Sequence, residues 1–263
     1  MTKKGRPKIG LALGSGGARG LAHIGVIKAL KENNIAIDFI VGSSIGAMIG
    51  GFYASGLDIK EIEEIALSTN WHRVFSLLFD PRLKQGLIGG EKLKTFIEDC
   101  ISGKRFEDCK IPFAAVATDL KTGEIVILDK GEMASAIRAS ISIPLVFKPV
   151  EIEGRVLADG GLSAPVPVEI VRNMGADIVI AVNLNKHYYS EKWKPGWYNI
   201  VNDSLNILQH HLALLTTANA DIVININTGK NNYRYQFVNG QDKILAGEKA
   251  VKEILPKLQE MIY

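Results

Sequence analysis

From Asp38 to Ala47 the chain reads Asp-Phe-Ile-Val-Gly-Ser-Ser-Ile-Gly-Ala, and this stretch constrains the fold more than any other. Phe39, Ile40 and Val41 form a short apolar, β-prone run. From Ile45 onward the residues are small and apolar, as suits a tightly packed helix. Between them lies Gly42-x-Ser44-x-Gly46, the pattern of a nucleophile elbow, in which a strand turns sharply at the Ser and leaves as a helix. Such a turn strains the Ser backbone, and a Cβ on either glycine would crowd it. The helix beyond it aims its N-terminal N–H groups and positive dipole end at charge developing near Ser44. A βα turn with an N-capping Ser would carry the same letters. The strand before and the helix after are the context the elbow requires, and both are present.

The rest of the chain repeats that alternation. Ile9–Leu13 reads as a strand, Gly14-Ser15-Gly16-Gly17-Ala18-Arg19-Gly20 as a glycine-rich turn, and residues 21–31 as a helix. Asp58 caps an amphipathic helix with Ile59, Ile62, Ile65 and Ala66 on its apolar side. Residues 91–101 read as a helix. Residues 112–118 and 124–128 read as a hairpin, residues 133–139 as a short helix, and residues 149–158 as a second hairpin around Glu153-Gly154. A helix over 165–174 ends at Gly175 in the C′ position. Residues 177–182 form a continuous apolar strand of the kind buried in parallel sheets. Residues 186–198 read as an exposed loop, 200–218 as a long helix, 221–226 as a strand and 243–262 as a closing amphipathic helix. The apolar stretch at 71–90 has no clean period; it reads as a buried irregular connection, or as a flap or lipid-dipping surface over a site. This order predicts an α/β fold, three layers deep, with a mostly parallel central sheet and helices on both faces.

Length and composition fit that architecture. With 263 residues, 47% hydrophobic and 22% charged, and with no internal repeat or low-complexity linker, the chain reads as a single domain over 1–263. A net charge of +3 is too weak to argue for nucleic acid, yet it is no bar to an anionic membrane surface. Cys100 and Cys109 lack metal-ligand spacing and read as reduced thiols. The basic residues ahead of Ile9 imitate a signal peptide, but the apolar run is too short. No stretch reaches the roughly 18 apolar residues of a spanning helix. The expectation is therefore a cytoplasmic chain, peripheral at a membrane at most.

Two groups of residues join Ser44 as candidates for chemistry. The turn Gly14–Gly20 follows a strand and opens a helix, so the backbone N–H groups of Gly16, Gly17 and Ala18 can cradle an anion. A dinucleotide pyrophosphate is one such anion, but that fingerprint would want Gly where Arg19 stands. The oxyanion of a tetrahedral intermediate formed at Ser44 is the other. Arg19 orients the loop, meets an anionic group, or is a solvated charge at a helix start. Ser44 also needs a base. His23 reads as a packing or surface residue; His72, His187, His210 and His211 keep a conventional Ser-His-Asp arrangement open. None of the five sits at a strand end with turn residues around it, whereas Asp159 does, running into Gly160-Gly161. A desolvated carboxylate there can take the Ser proton directly, since an apolar pocket raises its proton affinity. Asp-Gly is also a strong turn former.

The blocks Gly14-Ser15-Gly16-Gly17-Ala18-Arg19-Gly20, Gly42-Ser43-Ser44-Ile45-Gly46 and Asp159-Gly160-Gly161, in that order and spacing, resemble the patatin-like phospholipases. Ala139-Ser140-Ile141-Ser142-Ile143-Pro144 resembles a further block of that family. The resemblance runs over about residues 8–183 and leaves 184–263 as an extension with no assigned site. It implies a Ser–Asp dyad with Ser44 as nucleophile and Asp159 as base, and an oxyanion hole from the Gly16-Gly17 region. It further implies hydrolysis of acyl esters in lipids with no metal and no cofactor. The family often has Gly where this chain has Ser15, a change expected to matter little. A conventional Ser-His-Asp esterase, a nucleotide-binding protein using the glycine loop, and a non-catalytic lipid-binding protein are the competing readings.

Overall fold

The computed structural model describes residues 6–68, 90–186, 196–227 and 240–262. In chain order the strands are β1 (Ile9–Leu13), β2 (Phe39–Ser43), β3 (Phe113–Asp119), β4 (Ile125–Leu128), β5 (Val150–Ile152), β6 (Arg155–Asp159), β7 (Ile178–Asn183) and β8 (Ile222–Asn225). The helices are α1 (Ala22–Glu32), α2 (Ile45–Ala54), α3 (Ile59–Leu67), α4 (Glu91–Cys100), α5 (Met133–Ser140), α6 (Val168–Asn173), α7 (Trp197–Thr216) and α8 (Gly240–Ile262). The strands form one sheet in the order β5-β6-β3-β2-β1-β7-β8, with β4 paired to β3. Its centre, β3-β2-β1-β7-β8, is parallel, and β4, β5 and β6 add an antiparallel rim.

Period-two alternation separates the two faces of the sheet. Ile9, Leu11, Leu13, Ile40, Phe113, Ile178, Ile180 and Val182 pack on one face with α1, α2, α3 and α8. Ala12, Val41, Ala114, Val116, Val179 and Ala181 pack on the other with α6 and Ala213 of α7. Large side chains thus meet the thicker helical layer and small ones the thinner. The three-layer α/β/α architecture expected from the sequence is the one observed. β8 and α8 come from the extension beyond residue 183; β8 completes the sheet beside β7, and α8 lies along α1.

The register of β3 brings two strand ends together. On one edge β3 pairs with β4 over Ala115–Thr118. On the other, Val116 pairs with Ser43 of parallel β2 and Ala117 pairs with Asp159 of antiparallel β6. Since β2 and β6 run toward each other along that edge, their C-terminal ends meet between Val116 and Ala117. The chain order adds a second convergence. β2 and β3 lie on one side of β1, and β7 and β8 on the other, so the order reverses at β1, where α/β sheets place their ligands beyond the strand ends.

Boundaries differ from the sequence reading in a few places. α6 starts at Val168 rather than 165, because Pro165 and Pro167 push the residues before them, Ala164 and Val166, out of the helical region. α7 starts at Trp197, directly after the Gly196 N-cap, so Trp197 and Tyr198 are helical rather than loop. α8 starts at Gly240, a turn before the expected 243. Asp58 caps α3 as expected, in a capping box with Glu61. The irregular stretch expected over 71–90, including its apolar residues 74–79, lies outside the described residues except for Gly90, as do residues 187–195 of the expected loop. Cys100 and Cys109 are free thiols, and burial pushes both up to about 11.

Candidate active site

β2 is hydrogen-bonded to β1 and β3, and its last residues enter a turn with no room for side chains. A Cβ on Gly42 would meet the Ala47 backbone at 2.4 Å, and one on Gly46 would meet the Leu13 carbonyl oxygen at 2.2 Å. Ser44 between them has φ 57° and ψ −123°, a region costing on the order of 1–3 kcal/mol for a residue with a side chain. Ser44 occupies the N-cap position of α2, yet its side chain makes no capping bond. Instead Ser44 Oγ donates to Asp159 Oδ2 at 2.5 Å. The simple N-cap reading of this Ser is therefore overturned: the hydroxyl is turned away from the helix it precedes.

The two carboxylate oxygens of Asp159 have different partners. Oδ1 accepts from the Gly161 amide at 2.8 Å and so makes the Asp-Gly-Gly turn. Oδ2 takes the Ser44 hydroxyl. Both residues are buried, each 3% exposed. The Asp159 backbone is tied down on both sides: its amide donates to the Ser142 carbonyl at 3.0 Å, and Thr118 Oγ1 donates to its carbonyl at 2.9 Å. The block at 139–144 belongs to this scaffold. Ser140 Oγ donates to the Val116 carbonyl and accepts from the Ser44 amide, at 2.6 and 2.9 Å, so one hydroxyl joins the elbow to β3. Arg138 donates to Ser142 Oγ at 2.8 Å and stacks on Phe147 at 4.7 Å.

The glycine turn stands beside the elbow because β1 pairs with β2. Gly17, at φ 57°, opens a 3-10 turn over Gly17–Leu21 that runs into α1. Among the described residues the amides of Gly16 and Gly17 donate to no protein acceptor, as is usual for the first turn of a helix. The Gly14 and Ser15 amides donate hydrogen bonds to the Val182 and Pro165 carbonyls, and Gly20 lies where a Cβ would strike Ile45 of α2 at 2.3 Å. Arg19 braces the loop: Nε donates to the Gly16 carbonyl at 3.2 Å and Nη2 to Asn185 Oδ1 at 2.8 Å.

His23 is fully buried, and burial pulls its pKa down to about 4. A neutral ring facing a carbonyl must donate, so Nε2 carries the proton toward the Gly14 oxygen at 2.8 Å. His23 is thus a packing residue, as expected, that also holds the glycine turn. His210 Nδ1 lies 2.6 Å from the Asn185 carbonyl, and His211 is its ring neighbour on α7. His72 and His187 lie outside the described residues. The histidine-based triad has no representative on Ser44 Oγ among the described residues, where the acceptor is Asp159.

Asn185 and Gln209, which no sequence motif singles out, and His210, which the sequence offers only as a base, reach this place from the other end of the chain. Asn185 follows β7 and donates from Nδ2 to the Ser15 carbonyl at 2.8 Å, with Ser15 Oγ at 3.3 Å. The shorter of these bonds is to the Ser15 backbone, which a glycine would offer equally. Gln209 of α7 is buried, and its Nε2 lies 2.9 Å from where a Gly161 Cβ would project, beside Asp159 Oδ1 at the same distance. One signal could have revealed Asn185: a polar residue just past the C-terminal end of a wholly apolar strand, on the side where α/β sheets bind ligands.

The family model described as Patatin-like phospholipase matches residues 11–172. A Mycobacterium tuberculosis protein described as "Uncharacterized NTE family protein" is 45% identical over 180 residues, covering 68% of this chain and 49% of the relative. The Lysophospholipase NTE1 of Yarrowia lipolytica is 34% identical over 182 residues, covering 67% of this chain and 12% of that protein. The chain thus spans about half the length of the mycobacterial relative and far less of the yeast one. Among solved structures, VipD from Legionella pneumophila superposes with a TM-score of 0.66 at 15% identity, over 96% of this chain and 67% of that one. ExoU, from the ExoU-SpcU complex of the Pseudomonas aeruginosa type III secretion system, gives 0.53 at 17% identity, over 97% and 52%. At such identities these two likenesses speak for the fold alone. None of the described helices is long and apolar enough to cross a membrane.

Proposed function

The chain belongs to the patatin-like phospholipase family, and from that premise we propose that it is a serine lipid acyl hydrolase working through a Ser44–Asp159 dyad. The observation that carries the proposal is the 2.5 Å bond from Ser44 Oγ to Asp159 Oδ2 at the meeting point of two strand ends, beside a loop with undedicated amides. Ser44 Oγ attacks the ester carbonyl carbon while its proton passes to Asp159 Oδ2. The carbonyl oxygen becomes an oxyanion, received by the amides of Gly16, Gly17 and Ala18 and by the positive end of α2. Collapse breaks the ester C–O bond, and the leaving alkoxide takes the proton from Asp159. A water then gives a proton to Asp159 and attacks the acyl-serine; the second collapse frees the carboxylic acid and returns the proton to Ser44. Oδ1 stays engaged with the Gly161 amide throughout, so the carboxylate keeps its orientation while Oδ2 is protonated and deprotonated.

The likeness to a protein named lysophospholipase supports acyl lipids as the substrate class. The test is labelling with a fluorophosphonate ester, read by intact mass and peptide mapping on the whole chain, Ser44→Ala and Asp159→Asn. One adduct on Ser44, absent in Ser44→Ala and slowed in Asp159→Asn, is the expected result. An adduct elsewhere, or none on the folded chain with and without lipid vesicles, overturns the proposal.

A further inference from the structure

α7 has two unlike sides. Gln209 and Ala213, four residues apart, face inward, and Gln209 stands against the Asp159-Gly160-Gly161 turn. The exposed residues of the helix are Trp197, Ile200, Val201, Ser204, Ile207, Leu208, His211, Leu214 and Leu215. At 100° per residue these fall in one continuous arc along a helix of roughly 30 Å. Only Ser204 and His211 in that arc are polar. Trp197 is 71% exposed, Leu208 65% and Leu215 73%. Scattered exposed leucines need no explanation, but a contiguous apolar stripe marks an interaction surface.

We infer that this outer face of α7 is a docking surface for a phospholipid bilayer, and that it lays the wall of the dyad site against the membrane. The proposal rests on the reading of the site as one for acyl lipids. Three observations favour lipid over a polar protein partner. The helix that carries the stripe is itself a wall of the site, so the face that meets lipid and the residue beside Asp159 are held on one rigid element. Asp203 is the one charged residue in the helix and lies outside the exposed arc, so no carboxylate in that arc opposes anionic headgroups. At the N-terminal end Trp197 and Tyr198 pack edge to face at 6.0 Å; aromatic rings of this kind settle at the headgroup level of a bilayer. The net charge of +3 has the sign that anionic lipid attracts.

The test is flotation of the full chain with vesicles of phosphatidylethanolamine and phosphatidylglycerol in equal parts, comparing it with the double variant Leu208→Asp, Leu215→Asp. Both leucines are exposed, so the variant should keep its fold and its turnover of a short-chain, water-soluble ester. Loss of two lipid-buried leucines and gain of two carboxylates should weaken vesicle binding at least about a hundredfold. Ser44→Ala should float as the unaltered chain does, which separates docking from chemistry. If the unaltered chain floats through these leucines and yet hydrolyses no ester, the docking surface stands and the hydrolase reading falls. Equal flotation of the double variant overturns the docking surface. So does a chain that ignores vesicles but sediments as a dimer that the two substitutions split, which would give the face to a second copy.

Discussion

Two strand-to-helix turns lie side by side at the C-terminal edge of this sheet, and they do opposite things with the same residue type. After β1, glycines thin the chain and leave the Gly16 and Gly17 amides uncommitted among the described residues, and the side chains of Arg19 and His23 hold the backbone. After β2, glycines clear space around one side chain, Ser44, whose hydroxyl meets Asp159. The first turn is held from outside, by Asn185 and by the Pro165 and Val182 carbonyls, all far along the chain. The second, strained at Ser44, is held by Ser140 and by contact with the first turn through Gly46. A side chain at an elbow needs only a place to point. A pair of amides needs its whole loop fixed, because a donor displaced by an ångström no longer meets the oxyanion.

The comparison breaks most sharply at the elbow. Ser44→Ala should reduce turnover of a soluble ester by about 10⁴-fold or more, and Asp159→Asn by about 10²–10⁴-fold, each with little change in the thermal midpoint. Steady-state kinetics with a melting curve on the same samples checks both. Equal loss in an elbow variant and a glycine-turn variant would erase the distinction.

The contact between the turns is the next test. A Cβ at position 46 would sit 2.2 Å from the Leu13 oxygen and 3.0 Å from the Gly14 oxygen. Gly46→Ala must therefore push α2 away from β1, costing about 1–3 kcal/mol by overpacking. Fluorophosphonate labelling should slow more than the fall in stability explains, since the change moves nucleophile and amides apart. Denaturant unfolding alongside labelling rates separates the two effects.

Asn185→Ala attacks the glycine turn alone. It leaves the buried Ser15 carbonyl and the Arg19 guanidinium without their amide partner. The expected result is a drop of about 10–100-fold in kcat with KM little changed, through a loosened loop. Arg19 and Asn185 changed together should cost little more than either alone, because they act through one brace.

The same contrast decides how legible each turn was in the sequence. The elbow could be read from ten consecutive residues, since strain, clearance and helix direction are all local demands. Asp159 could be read from its own strand end, though its pairing with Ser44 depends on β2 and β6 abutting along one edge of β3, a register no local pattern encodes. The glycine turn was legible as a cradle, but its supports were not. Asn185 and Gln209 come from the stretch beyond residue 183, are ordinary polar residues, and acquire meaning only when β7 is laid beside β1. The antiparallel rim was visible as two hairpins because their turns are local. The start of α7 at Trp197 was not, because Pro195-Gly196 signals a break without saying how soon the helix begins after it.

The smallest effect concerns His23, the titratable group that holds the glycine turn from within. Buried and neutral, it donates to the Gly14 carbonyl and has its pKa lowered to about 4 from an ordinary 6.5. Between those values the unfolded chain binds a proton that the folded chain refuses, so stability rises with pH across that window and is lost as pH falls from about 6.5 to about 4. The whole swing is about 3 kcal/mol, and His23 contributes no slope above or below it. His23→Gln keeps an amide that can reach the Gly14 oxygen and removes the titration. Its stability should therefore lack one proton's worth of slope in urea unfolding between pH 4 and 6.5, while turnover at neutral pH stays within about twofold of the unaltered chain. A variant that instead loses turnover at neutral pH would mean that the glycine turn depends on this ring as closely as the elbow depends on Asp159, and that a single internal hydrogen bond can do for backbone amides what Ser140 and the Gly46 contact do for the serine.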